Sequence, residues 1–223
     1  MWAGPELMKK SLGTEVGGQR WLTRPFVPFP EELSPEEKSH YRRFLFQART
    51  EAEAESLANT QGQEWAGWTT RRLIDKITAP LSRLTRSSAA LARSLGDEVQ
   101  AKRFEVFNCL VNTVANAISY QIQLDRARSK PLYKEDEAWE SQIRIGWDHQ
   151  LLMETAKAEI DNIITLIELL GSNPGTFLNL APSKADEDIR LLPPDVTDQL
   201  RRKIEIMNAH WEDYERVFIN PKL

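Results

Sequence analysis

One long helical segment, from about residue 97 to residue 128, limits what this chain can fold into. Its apolar residues recur around most of the helix rather than along one stripe, which is typical of a helix with neighbours on several sides. They are Phe104, Val106, Phe107, Leu110, Val111, Val114, Ile118, Tyr120, Ile122 and Leu124. We therefore predict that this helix lies at the centre of a helical bundle.

Two other places in the chain carry helix start and stop signals. Ser34 can cap a helix, Pro35 suits its first turn, and Glu37 completes a capping box, so we predict a helix from 34 to about 58. Gly96 followed by Asp97 indicates the end of one helix and the cap of the next.

Helical periodicity also predicts segments from about 63 to 95, from about 134 to 170, and from about 195 onwards as one continuous final helix. Pro80 should interrupt the first of these, with Thr78 capping the restart. The final helix carries an apolar stripe formed by Leu200, Ile204, Met207, Trp211, Tyr214 and Phe218. No segment alternates apolar and polar residues over the length of a strand. The predicted fold is all-α, an elongated antiparallel bundle of five or six helices with an extended Pro/aromatic N-terminal segment.

The chain of 223 residues is long enough for one domain with a substantial core, and we assign residues 34–223 to a single helical bundle. Residues 1–33 form a strap on that bundle or an arm for a partner. Phe26 and Phe29 are its anchors, because three prolines around them hold the chain extended and both rings can point the same way. A strap is favoured, since a free arm would expose many large apolar groups to water.

A leucine pattern in the segment before Gly96 has the alternating three- and four-residue steps of a narrow helix–helix seam. Its members are Leu81, Leu84, Ser88, Leu91 and Leu95. This pattern predicts that the segment packs on its neighbour through leucines.

A polar stripe lies along the predicted central helix. It consists of Asn108, Asn112, Asn116, Ser119 and Gln123. One interpretation is a narrow strip exposed to water. The other is a seam or a small polar-ligand site, because buried amides need hydrogen-bond partners and an unpaired one costs on the order of 1 to 3 kcal/mol.

Tryptophans and basic residues give the remaining candidate contacts. Trp65, Trp68 and Trp147 are predicted as exposed anchors for a protein partner. The stretch 71–93 contains a basic patch, namely Arg71, Arg72, Lys76, Arg83 and Arg86. A solvated helix face is its ordinary interpretation and nucleic-acid binding the alternative, which a formal net charge of −4 does not favour.

The sequence contains no recognisable catalytic motif. The three histidines have no metal-ligand spacing, and we predict no catalytic residue, no metal site and no cofactor. Acidic groups at 137–140, 186–188 and 212–215 are the basis of the alternative, a helical enzyme with a carboxylate-bound Mg²⁺. The single cysteine, Cys109, is predicted to be buried.

The function predicted from these observations is that of an intracellular helical protein–protein interaction module, such as an adaptor, assembly component or regulatory subunit. Its partner is another protein or a second copy of the chain, and enzymatic activity is the less favoured class. The sequence has neither a signal-peptide pattern nor about 18 consecutive apolar residues, so we expect a cytoplasmic protein without membrane contact.

Overall fold

The computed structural model describes residues 22–41, 73–129, 139–186 and 191–219. Its α-helices in these ranges are α1 (Pro35–Tyr41), α2 (Ala79–Ser94), α3 (Glu98–Ser129), α4 (Trp139–Leu170), α5 (Val196–Ala209) and α6 (Asp213–Ile219). The described ranges contain no strand, only a single parallel bridge between Leu180 and Leu192. The predicted all-α bundle is confirmed.

Helix α3 is the element that the others surround. It packs against α2, α4 and α6, and α4 packs in turn against α5 and α6. The contacts between α3 and α4 pair Asn116 with Glu159 and Cys109 with Asn162, so the two helices run antiparallel. Each has 32 residues and is therefore about 48 Å long, which makes the bundle elongated.

The core consists of two main clusters along α3. The first contains Ile118, Tyr120 and Leu124 of α3 together with residues of α4, α5 and α6, and the second contains Val106 and Cys109 with residues from the start of α5 and the end of α4. None of the described helices combines the length and the apolar character that a membrane crossing requires.

The Pro/aromatic segment from Leu22 to Leu33 lies along the bundle, and all of residues 22–30 are buried. Phe26 and Phe29 are fully buried members of the first core cluster, and Leu22 belongs to the second. The Tyr214 hydroxyl of α6 donates to the Phe26 carbonyl at 2.6 Å, and the Phe26 ring stacks on Tyr120 at 4.6 Å. In this structure the segment is a strap on the chain's own core.

Two of the predicted helix boundaries are formed by the expected hydrogen bonds. The Ser34 amide donates to Glu37 at 2.9 Å and the Glu37 amide donates to Ser34 Oγ at 3.2 Å, which confirms the capping box at α1. Gly96 has a φ of 79°, a left-handed conformation that suits glycine, and Asp97 Oδ1 accepts from the Gln100 amide at 3.0 Å. The stop after α2 and the cap of α3 are therefore confirmed.

The predicted interruption near Pro80 is present. A π-helical turn, Leu73–Thr78, ends there and α2 begins at Ala79, with Pro80 in its first turn, where a missing amide is tolerated. Thr78 occupies the N-cap position of α2, but its backbone is helical and its side chain makes no capping hydrogen bond.

The prediction of a single final helix was wrong. The chain turns between α5 and α6 at residues 210–212, where His210 Nδ1 lies 2.8 Å from Asp213 Oδ2. The turn changes the direction of the apolar stripe and allows Tyr214 to reach the strap.

Candidate functional site

Several of the predicted contact residues lie outside the described residues. They are Trp65, Trp68, Arg71, Arg72 and the side chain of Trp147 in α4. Phe26 and Phe29 are placed, and both are 0% exposed, so neither ring belongs to the surface of the molecule.

The polar stripe of α3 forms hydrogen bonds within the chain. Asn108 Oδ1 accepts from Ser82 Oγ at 2.8 Å and from Thr85 Oγ1 at 2.9 Å, both on α2. Asn112 Oδ1 lies 3.2 Å from the same Ser82 Oγ, whose one hydrogen is shared with the nearer Asn108, and the Asn112 amide group donates to Asn162 of α4 at 3.3 Å. The stripe is thus a polar seam inside the molecule, between α2 on one side and α4 on the other, and Ser119 and Gln123 continue it half-buried.

A buried carboxylate lies beside this seam. Glu159 of α4 is 0% exposed and accepts hydrogen bonds from Thr113 Oγ1 at 3.0 Å, from Asn116 Nδ2 at 2.8 Å and from the ammonium of Lys203, which is also 0% exposed. Lys203 donates in addition to the Leu22 carbonyl at 3.1 Å. This pair joins α4, α5 and the strap.

The ionisation of Lys203 is set by its surroundings. Burial lowers its pKa, the neighbouring charge of Arg24 lowers it further, and the Glu159 carboxylate opposes both. Both side chains are 0% exposed, and we interpret the pair as a structural link between α4, α5 and the strap.

The predicted leucine seam is not covered by any described helix, since Leu84, Leu91 and Leu95 are exposed. Helix α2 instead presents small residues to α3, with Thr85, Ala89 and Ala92 buried. Small side chains allow two helices to approach closely, and this leaves the larger ones outside the contact.

An exposed apolar strip results, which we call the leucine face. It consists of Ile77, Leu84, Leu91 and Leu95, exposed by 48%, 61%, 61% and 76%, and is continued at the start of α3 by Val99, exposed by 56%. The members from Ile77 to Leu95 are separated by steps of seven and four residues, so they lie on one side of the helix. The same spacing that suggested an internal seam thus describes a surface.

Three members of the predicted basic patch lie in the described residues. Lys76, Arg83 and Arg86 are exposed and make no ion pair with any described residue. Lys76 and Arg83 directly precede Ile77 and Leu84 in the chain, so they flank one edge of the leucine face. Arg86 lies further round α2.

A pocket of about 390 Å³ opens on that further side, between α2, α3 and α4. Arg86 and Arg93 line it from α2, Glu105, Asn108 and Cys109 from α3, and Leu169 from α4. Arg93 forms an ion pair with Glu105 and a longer one with Glu98 at 3.6 Å. The sequence pointed to Asn108 and Arg86 separately, but the pocket depends on which helix faces meet.

Cys109 lines the same pocket as a buried thiol. Burial, with smaller contributions from the carboxylates of Glu159 and Glu105, raises its pKa to about 12, so the thiol is neutral near pH 7 and unsuited to nucleophilic attack. In the described part of the chain, no three His, Cys, Asp or Glu side chains come together as a possible metal site. Glu137, Glu187 and Asp188, three of the acidic residues considered for Mg²⁺, lie outside it.

Comparison of the chain with protein-family models, with curated proteins and with solved structures gave no match. The function therefore has to be inferred from the surfaces of the molecule itself.

Proposed function

We propose that this protein is a protein–protein interaction module and that its leucine face binds an amphipathic helix of a partner protein. The observation that carries the proposal is the exposure of the large apolar side chains along one side of α2. Large apolar side chains that line up on one side of a helix, with polar residues beside them, are typical of docking sites, whereas single scattered ones are not. A helix with apolar residues at positions i, i+3 or i+4, and i+7 is the natural complement of such a strip.

Charge selects among the possible occupants. Lys76 and Arg83 flank the leucine face and have no ion-pair partner in the described ranges, so a partner helix with Asp or Glu beside its apolar stripe would neutralise them. A second copy is less suitable, because two α2 helices would bring positive charges together. The strip is also only roughly 25 Å long and about 10 Å wide, which suits a single docked helix rather than the roughly 800 Å² that each partner of a stable complex between folded domains buries.

The test uses a peptide probe and the full chain. The probe is a helical peptide with leucine at the a and d positions of three heptads and glutamate at the flanking positions, and its matched control carries lysine instead. We expect the glutamate peptide to bind, as followed by fluorescence anisotropy, and its affinity to fall with added salt. The L84S/L91S variant should bind it at least tenfold more weakly, whereas A90S, an exposed change elsewhere on α2, should not.

Equal binding of the two peptides, or unchanged binding by L84S/L91S, would contradict the proposal. Light scattering of the full chain identifies the competing occupant: a dimer that L84S/L91S dissociates would assign the leucine face to a second copy and overturn the partner helix. Nuclear Overhauser contacts between the Leu84 or Leu91 methyl groups and residues 42–72 would assign it to the chain itself, with the same consequence.

A further inference from the structure

The pocket between α2, α3 and α4 has the size and the lining of a small-ligand site. Its volume of about 390 Å³ lies within the roughly 300 to 1,000 Å³ range of ligand pockets. It is separate from the leucine face, because Arg86 and Arg93 each follow a leucine of that face by two positions, about 200° around a helix.

One hydrogen-bond donor of the pocket is held in a fixed orientation. Asn108 Oδ1 accepts from both Ser82 and Thr85, which fixes the plane of its amide group. The NH₂ group of Asn108 is then the part available to a ligand, and it donates to no described residue. The polar stripe thus supplies a prepared donor to the pocket.

The charges at the rim have unequal roles. Arg93 is occupied by Glu105 and Glu98, whereas Arg86 makes no ion pair or hydrogen bond in the described part of the chain. Two guanidinium groups and one carboxylate line the pocket, and Glu98 pairs with Arg93 from outside the lining, so Arg86 is the charge that a ligand can neutralise. A single charge suits a monoanion, while a phosphate dianion would keep an uncompensated negative charge.

The rest of the lining is apolar. Ala89, Ala90 and Leu169 contribute methyl groups, and Cys109 contributes a thiol that behaves as a small apolar group in its neutral form. A ligand with a compact apolar body can therefore bury that body against these groups while its charged end reaches Arg86.

We propose that this pocket binds a small monocarboxylate, with the carboxylate on Arg86 and the Asn108 amide and with an apolar body against Leu169 and Cys109. The carboxylate is the chemical class that a planar guanidinium and an amide donor recognise together, through parallel N–H···O hydrogen bonds. This binding activity is additional to the docking of a partner helix and does not depend on it.

The experiment uses benzoate as the probe and benzamide, its uncharged isostere, as the matched ligand. Each is titrated to about 20 mM into the isotopically labelled full chain while NMR follows the Asn108 side-chain amide and the Leu169 methyl groups. We expect benzoate to shift both sets of signals in a saturable way and benzamide to bind at least tenfold more weakly, because a hydrogen bond to a charged group is roughly twice as strong as a neutral one.

Variants distinguish a built site from general attraction of anions. R86Q should weaken benzoate binding about tenfold or more, whereas R103Q should leave it unchanged, since it removes the same charge from an exposed position outside the pocket. The proposal is overturned if the Asn108 and Leu169 signals do not shift, if benzamide equals benzoate, or if R103Q and R86Q have the same effect. None of these outcomes bears on the leucine face, so the two proposals fail independently.

Discussion

At the scale of single residues, the buried ion pair between Lys203 and Glu159 links α4, α5 and the strap inside the core. Each charge would cost several kcal/mol to bury alone, and it is tolerated because the partners are supplied. The Glu159 carboxylate accepts from Lys203, Thr113 and Asn116, and the Lys203 ammonium also donates to Leu22. These two residues therefore act as one unit, and their mutational effects should not add.

The prediction is that K203M lowers the free energy of unfolding by about 3 to 5 kcal/mol, because it leaves the Glu159 charge buried without its partner. The double variant K203M/E159Q should be more stable than K203M, since glutamine removes that charge while its one oxygen still accepts from one of the two donors, Thr113 at Oε1 or Asn116 at Oε2. Urea denaturation measures both. The matched control is K157M, which disrupts an exposed pair with Asp161 and should change stability by less than about 1 kcal/mol. A double variant less stable than K203M would show that the two sites are not coupled.

The sequence contains a signal for this pair that the periodicity argument missed. Glu159 lies between Ala156 and Ile163, and Lys203 lies between Leu200 and Met207, in steps of three and four that place each charge on a buried face. Two opposite charges on two core-facing stripes indicate a buried pair. Which stripes meet, however, depends on the packing of the whole bundle.

At the scale of elements, the strap is held by several kinds of contact. The Phe26 ring stacks on Tyr120, and the Arg216 guanidinium lies 3.9 Å from the centroid of the Phe29 ring. The strap carbonyl groups of Leu22 and Phe26 accept hydrogen bonds from Lys203 and Tyr214, respectively. Fully buried aromatic side chains of this type typically contribute several kcal/mol to stability.

A chain that begins at Leu33 should therefore melt at a lower temperature than the full chain while keeping the same oligomeric state. The reason is that it loses Phe26 and Phe29 from the core and leaves Lys203 without its carbonyl acceptor. Circular dichroism and light scattering on the same samples measure the two quantities, and a chain that begins at Arg20 shows which part of the segment is responsible. F26A in the full chain should cost about 3 to 5 kcal/mol. Unchanged melting of both variants would contradict the role of the strap.

Local signals predicted the elements best where they are complete in a few residues. The capping box at Ser34 and the glycine stop at Gly96 need only their own neighbours, and both were correct. The leucine seam failed because spacing shows which residues share a face and not whether a neighbour covers it. Pro80 indicated where α2 begins but not the π-helical turn that precedes it, which no simple pattern reports.

At the scale of the whole molecule, the crowded apolar pattern of α3 predicted both the fold class and the centre of the bundle. The candidate site was harder to predict from the sequence, since the leucines were interpreted as a helix–helix seam and the pocket combines residues from three helices. Asn108 and Arg86 were singled out for their residue types, but their shared pocket follows only from the arrangement of α2, α3 and α4.

The arrangement of the whole bundle also sets how stability depends on pH, and on the acid side two carboxylates of the described residues have lowered pKa values. Burial by itself would raise the pKa of Glu37, but hydrogen bonds from Ser34 and the charge of His210 outweigh it and hold the pKa below 4.5. The pKa of Asp195 is held below 3.8 in the same way, because the interactions with Lys184 and Gln199 outweigh the effect of burial, which would raise it. Since a folded pKa below the unfolded one stabilises only the ionised state, this stability is present above about pH 5 and is lost as the pH falls through the folded values.

On the alkaline side the sign is reversed. Burial raises the pKa of Cys109 from 9.0 to about 12, and burial also raises the pKa of Tyr214 above 10.0. Each group stays protonated in the folded chain at a pH where the unfolded chain has lost the proton, so the stability that these two groups contribute is complete below pH 9.0 and decreases above it. Lys203 acts in the opposite direction, because burial lowers its pKa and the folded chain loses that proton first.

We therefore predict a plateau of stability between about pH 5 and pH 9, with a decline on each side, as measured by urea denaturation at closely spaced pH values. E37Q should flatten the acid decline, because glutamine has no proton to gain, and C109A should flatten the alkaline decline in the same manner. Each variant is compared with the parent chain through the slope of stability against pH rather than its absolute value, so a general loss of packing does not mimic the effect. An alkaline slope that C109A leaves unchanged would contradict the assignment of that decline to the buried thiol.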